Sequence, residues 1–266
     1  MQTARQRLFG LGVWLSAIAS ACSVFLLTVR LAAYSDVSPR VGYSIGFALV
    51  VGCVLAVAAC APSDRRLSAA FTLVGLASLA LAHRLGMNVS AATLLLASLL
   101  MAGSAIGAWV GTGIEQPGHL VFVAVLSSLA DLFSVAHPDG PSALLAQRPE
   151  ALALLALPWP MLGTREIVPF LGVGDVVFTS LYFTAARRHG LPLVRMVVAF
   201  ALAFAVTALV VVLLERAVPV LPFLGAALLI AQPATRTPPL RDLRRGVLLI
   251  TAFAAAIAVW VLRRSL

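Results

Sequence analysis

Residues 191–215 read LPLVRMVVAFALAFAVTALVVVLLE. Arg195 and Glu215 stand near the two ends, and between them Thr207 is the one polar side chain. As a helix rising about 1.5 Å per residue, such a run crosses a hydrocarbon layer about 30 Å thick. The rest of the 266-residue chain follows suit. Hydrophobic residues make up 61% and charged residues 11%, with a mean hydropathy of +1.03. Ordinary soluble domains are roughly 45–50% apolar and about 25% charged. The composition specifies a polytopic membrane protein.

Working outward, nine apolar stretches are punctuated by Arg, Pro or Gly, near 8–30, 41–61, 67–85, 89–112, 118–137, 168–186, 191–215, 217–233 and 246–262. A closed barrel would show alternating ten-residue segments instead, so all nine are expected to be helices. The predicted fold class is all-α, a polytopic membrane helix bundle of about nine transmembrane helices. The first stretch is too long for a signal-peptide core and is expected to be retained. Three regions follow: residues 1–117 as a four-helix membrane region, 118–233 as a core, and 234–266 as an Arg-rich loop with a last helix. Within the core, the connection from about 138 to 167 has a polar half (Asp139, Arg148, Glu150) and an apolar half from Leu152 to Leu162. The apolar half is too short to span. Its expected place is the membrane interface, or over a cavity.

The formal net charge of +9 comes from 19 basic residues, all Arg, against 10 acidic ones. The arginines fall mostly between apolar runs, where residues flanking membrane helices belong. No basic stripe with interleaved aromatics is present, which excludes nucleic acid as a partner. With nine spans and the N-terminus inside, eleven arginines lie on the inner side and eight on the outer, so the positive-inside rule leans that way. Cys22, Cys53 and Cys60 sit within apolar runs and read as small buried hydrophobes. The four histidines form no ligand pair at helical spacing, so no metal and no cofactor is expected.

Against this background two carboxylates stand out. Asp131 and Asp175 sit well within apolar stretches, whereas the other eight acids fall in loops or at helix ends. A carboxylate inside a bilayer is costly, and its default meaning is a functional site. Counted from the connection between their helices, Asp131 lies about six residues deep and Asp175 about seven, roughly 9 and 10.5 Å. Antiparallel neighbours would hold the two at one level. Ser127, Ser128 and Ser134 flank Asp131 at helical spacing, and Gly172, Thr179 and Tyr182 share the expected face of Asp175. Two close carboxylates share a proton and titrate as a pair. One takes a proton from an attacking water while the other protonates the carbonyl oxygen.

The second acid sits in Leu171-Gly172-Val173-Gly174-Asp175-Val176-Val177-Phe178. The first sits in Leu129-Ala130-Asp131-Leu132-Phe133-Ser134-Val135, followed by His137-Pro138-Asp139-Gly140-Pro141, and a later stretch reads Pro219-Val220-Leu221-Pro222-Phe223-Leu224. This set resembles the presenilin and signal peptide peptidase family of intramembrane aspartyl proteases, which carries a Tyr-Asp motif, a Gly-x-Gly-Asp motif and a Pro-Ala-Leu motif. The pieces after Asp131 look closest to the presenilin branch. The resemblance covers roughly residues 118–232. It implies Asp131 and Asp175 as the catalytic pair and Pro219, Val220 and Leu221 as lining the substrate site; Gly172 and Gly174, lacking side chains, would let a backbone approach closely beside Asp175 and join the substrate-binding set. Ala130 stands where the family has Tyr, and Val220 where it has Ala.

The implied activity is that of an aspartic endopeptidase cutting within the membrane. Its partners would be transmembrane helices of substrate proteins in the lipid bilayer, and its expected location is the bacterial inner membrane. Type 4 prepilin peptidases also use Gly-x-Gly-Asp, but carry Lys where Val176 stands here. A proton-coupled transporter could use the same acid pair, but predicts repeated halves that the sequence lacks. A non-catalytic scaffold binding membrane segments is the remaining reading.

Overall fold

Polar and proline punctuation sets where the helices begin. The computed structural model describes residues 4–86, 88–164 and 166–265. Its first helices are α1 (Ala4–Ala32), α2 (Pro39–Cys60), α3 (Arg65–Arg84) and α4 (Val89–Gly111). Pro39 opens α2, at a position whose amide has no partner within the helix. The Asp64 carboxylate caps α3 by accepting from the amides of Arg66 and Leu67, and the Asn88 side chain accepts from Ala91 to start α4. A short 3-10 turn, Pro117–His119, leads into α5 (Leu120–Ala136); α6 (Pro141–Ala146) and α7 (Pro149–Leu155) follow. Then come strands β1 (Ala156–Pro160) and β2 (Ile167–Gly172), and helices α8 (Val173–Arg188), α9 (Leu193–Leu214), α10 (Leu221–Ala231) and α11 (Leu240–Ser265).

The chain divides into two compact units, Met1–Gly113 with Arg148–Leu193 and Ile114–Gln147 with Val194–Leu266. Residues 118–233 are thus shared between both. In the first unit α8 is central, packed against α4 and α2. Nine of its residues, from Val176 to Ala186, are buried. Gly103, Gly107 and Gly111 of α4 recur at four-residue spacing and let the two backbones close: a methyl group on Gly107 would collide with the Val177 carbonyl, and one on Gly111 would fall 2.6 Å from the Leu181 carbonyl. The hairpin β1–β2 is antiparallel, with a bulge at Leu157/Pro158 that accommodates its prolines. Its fully buried Trp159 meets Phe25 of α1 edge-on at 5.7 Å, and Phe170 stacks on Tyr43 of α2 at 5.0 Å.

The second unit is built on α5, against which α10 and α11 pack. Gly246 of α11 meets the Phe122 ring, and Phe133 and Trp260 pack edge to face at 5.1 Å. His119 and Asp242, at the starts of α5 and α11, approach to 3.2 Å.

Among the described residues seven helical stretches are long and apolar enough to cross a membrane: Leu8–Ala32, Pro39–Cys60, Arg65–Arg84, Val89–Gly111, Pro117–Ala146 (α5 with the turn before it and α6 after it), Leu193–Leu214 and Leu240–Arg263. Large apolar side chains such as Val194, Leu202, Leu209 and Leu213 on α9 are exposed, as a helix in lipid requires. The molecule is an all-α helical bundle carrying one small hairpin, and an integral membrane protein. Two of the nine expected spans are different objects. The stretch at 168–186 begins as strand β2, because Pro169 cannot sit inside a helix and the Ile167, Val168 and Phe170 around it favour extended backbone. The stretch at 217–233 yields only the 11 residues of α10. At about 1.5 Å per residue that helix is too short to span. The apolar half of the long connection ends α7 and then forms β1, which is buried along its whole length, and Ala153, Leu154, Ala156 and Pro158 line a cavity.

Candidate functional site

Asp131 and Asp175 belong to different compact units, so each has its own local architecture. Asp131 sits on α5, five residues before its last residue, and is half-buried. Its Oδ2 accepts a hydrogen bond of 2.8 Å from the Leu221 amide, with the Val220 amide beside it. The sequence explains why these donors are available. The first amides of a helix have no carbonyl one turn back, and Val220 and Leu221 are the N-cap and first residue of α10. Pro219 ends the preceding segment and Pro222 enters the first turn without needing a partner. The Pro-Val-Leu-Pro stretch therefore begins a helix whose N-terminal end is aimed at Asp131. A charge-assisted bond of this kind fixes the orientation of a carboxylate.

The seating of α10 on α5 makes this contact possible. Gly225 has no side chain where a Cβ would stand 3.1 Å from Ser128 Oγ and 3.3 Å from the Ala124 Cβ. Ser128 Oγ donates to the Ala124 carbonyl at 2.7 Å and reaches the Leu221 carbonyl at 3.4 Å. Ser134 is occupied elsewhere. Its Oγ pairs with Ser142 Oγ at 2.7 Å and accepts from the Ser142 amide at 3.0 Å. The His137-Pro138-Asp139-Gly140-Pro141 segment folds over the end of α5, with His137 Nδ1 accepting from the Asp139 amide. Gly140 presses on the Phe133 and Ser134 carbonyls, a fit with no room for a Cβ.

In the other unit, β2 runs straight into α8, so Asp175 stands in the first turn of that helix. Gly172 is the N-cap, with φ −68° and ψ 147°. A Cβ on Gly172 would lie 3.5 Å from Asp175 Oδ2, which puts the carboxylate back over the start of its own helix. The space beside Gly174 is open. Both glycines are exposed and Asp175 is half-buried. One and two turns on, Thr179 and Tyr182 are fully buried.

Three expectations change. Gly172 shares no helical face with Asp175, since it precedes the helix. Asp175 lies two residues into α8, about 3 Å along its axis, where seven residues had been expected. The equal-depth argument, which needed helix from residue 168, loses that premise. Leu221 is buried and its amide is spent on Asp131, so it is not open to a substrate backbone. Pro219 and Val220 are half-buried. The fold thus joins Asp131 to Val220 and Leu221, and Asp175 to Gly172. The sequence reading missed the Asp131–Leu221 bond, although a helix starting between two prolines announces free amides. Among the described residues no group of three or more His, Cys, Asp and Glu side chains is placed to hold a metal ion. Compared with protein-family models, curated proteins and solved structures, the chain matches none.

Proposed function

We propose that this protein is an intramembrane aspartic endopeptidase of the presenilin-like kind, in which Asp131 and Asp175 share a proton and hydrolyse a peptide bond within a transmembrane segment of a substrate. One carboxylate takes a proton from water as the water oxygen attacks the peptide carbonyl, and the other carboxylic acid protonates the carbonyl oxygen. Collapse of the resulting gem-diol breaks the C–N bond as a proton passes to the leaving amine. No metal or nucleophilic side chain takes part.

The observation that carries this reading is the hydrogen bond from the Leu221 amide to Asp131. It ties the first acid to the Pro-Val-Leu element across ninety residues of sequence, and those are two of the three pieces on which the family resemblance rests. The second acid adds support. A membrane helix hides its own amides, so cutting it requires local unwinding and an extended stretch to hold. The two-stranded sheet leaves an edge of β2 unpaired by any strand among the described residues, and β2 leads directly to Asp175. An extended peptide laid on a strand edge is held through its backbone. Gly172 and Gly174 leave the space beside Asp175 unobstructed, and Pro219 and Val220 line the approach to Asp131. The partners are transmembrane helices of other proteins in the bilayer of a bacterial inner membrane.

Reconstituted into liposomes with a labelled transmembrane-helix peptide, wild type is expected to release fragments, while Asp131→Ala and Asp175→Ala release none. Unchanged cleavage in either variant removes that residue from the machinery. Passage of a solute across the liposome with no cutting makes the acids a transport pair instead.

A further inference from the structure

One end of the first unit holds a cavity of about 480 Å3 with no part in the chemistry above. The ends of five helices meet there. Its wall takes Gly10 and Leu11 from the start of the α1 span, Cys60 from the last residue of α2, Ser63 and Asp64 from the start of α3, Thr112 from the C-cap of α4, and Thr184, Arg187 and Arg188 from the last turns of α8. Four of these helices are long enough to span, so their ends mark one edge of the hydrocarbon. Arg65 lies over the Trp109 ring at 4.7 Å beside this level, the pairing of side chains that membrane interfaces favour.

The two arginines are differently employed. Arg187 donates to the carbonyls of Ala59 and Ala61, which end α2 without helical partners, and to Thr184 Oγ1 at 3.1 Å. That holds its guanidinium in place. Arg188 is exposed and has no hydrogen bond or ion pair among the described residues. The acid in the wall is Asp64, whose Oδ1 is turned to the Arg66 and Leu67 amides as the cap of α3. What remains is a pocket with one fixed and one uncommitted guanidinium, the Ser63 hydroxyl, and a size within the roughly 300–1,000 Å3 of small-ligand sites, the Thr112 hydroxyl being spent on the Trp109 carbonyl at 2.7 Å.

We infer that this cavity binds a phosphate-bearing anion, through Arg188 and Arg187, at the headgroup level of the membrane. Arginine matches phosphate with parallel N–H donors, and basic pockets between transmembrane helices hold anionic headgroups. The source that the location favours is an anionic phospholipid, whose acyl chains would run along the exposed apolar faces below. Free phosphate has the same chemistry, and the test separates the two. The inference is independent of proteolysis.

The experiment uses the full chain in detergent, titrated with phosphatidylglycerol, with phosphatidylcholine, or with millimolar inorganic phosphate, and read by native mass spectrometry and thermal midpoint. Phosphatidylglycerol is expected to bind and raise the midpoint, and phosphatidylcholine is not. Arg188→Gln is expected to lower the apparent affinity about fivefold, the ~1 kcal/mol that one arginine contributes near an anionic surface. Arg84→Gln, which removes the same charge at the opposite end of α3, is expected to leave affinity within about twofold. Because Arg188 makes no contact that the fold needs, its variant keeps the test open where Arg187→Gln risks misfolding. Inorganic phosphate reproducing the shift, and losing it in Arg188→Gln, assigns the site to free phosphate. Equal response to both lipids, or equal losses from the two arginine variants, overturns the inference.

Discussion

Asp131 carries two separable duties, and substitution can pull them apart. Its carboxylate accepts from the Leu221 amide and so helps hold α10 on α5, and in the proposed chemistry it also exchanges a proton. Asparagine retains an oxygen that accepts from the same amide but cannot serve as acid or base. Asp131→Asn is therefore expected to melt within a few degrees of wild type while cleavage of a transmembrane peptide falls at least ~100-fold. Asp131→Leu leaves the Leu221 amide without an acceptor, at a cost of about 1–3 kcal/mol. Thermal midpoints and cleavage rates of the two variants check this together. An asparagine variant that cuts normally, or one as unstable as leucine, breaks the assignment. The sequence identified the acid, because a carboxylate in an apolar run is conspicuous. Its partner was not legible, because a backbone amide leaves no mark of its own in the sequence and the contact spans ninety residues.

The helices show why boundaries misled more than composition did. Hydropathy treats Val168 to Ala186 as one run, whereas the backbone changes state at Gly172. Pro169 signalled the break, but an apolar run of five or six residues is as compatible with a buried strand as with a helix end. The consequence reached the site, since a helix that begins at Val173 moves Asp175 from its middle to its first turn. The α4–α8 contact was also out of reach: the sequence displays the small residues Gly103, Gly107 and Gly111 but not the helix they face. Their role gives a sign test. In an exposed helix interior, Gly→Ala stabilises by up to ~1 kcal/mol. Gly52→Ala on α2, where a Cβ meets nothing within 4 Å, is expected to do so. Gly107→Ala drives a methyl into the Val177 carbonyl and is expected to cost about 1–3 kcal/mol. Unfolding in denaturant reads both; a stabilising alanine at 107 means that α4 and α8 pack more loosely than described.

At the scale of the molecule, membrane residence followed from bulk composition, which needs no knowledge of which helix touches which. Partition into units did not, because the chain leaves the first unit at Gly113 and re-enters it at Arg148, and so the two acids fall on opposite sides of a division that sequence order hides. Each acid has its own supports: Asp131 has the start of α10, and Asp175 has the turn from β2 into α8. If the two nevertheless share one proton in the reaction, they act as a single device, and losing either disables both. Effects of residues that act as one unit are far from additive. Asp131→Asn and Asp175→Asn are each expected to reduce cleavage by a similar large factor, and the double variant to fall within about threefold of either single one. Independent roles, such as one acid binding substrate and the other acting in the chemistry, would instead multiply the losses. Single-turnover cleavage rates of the four proteins, with thermal midpoints to show that all are folded, distinguish these outcomes. Multiplying losses would retain both aspartates as functional groups and remove the shared proton, leaving the α10 contact as a structural clamp on Asp131 alone.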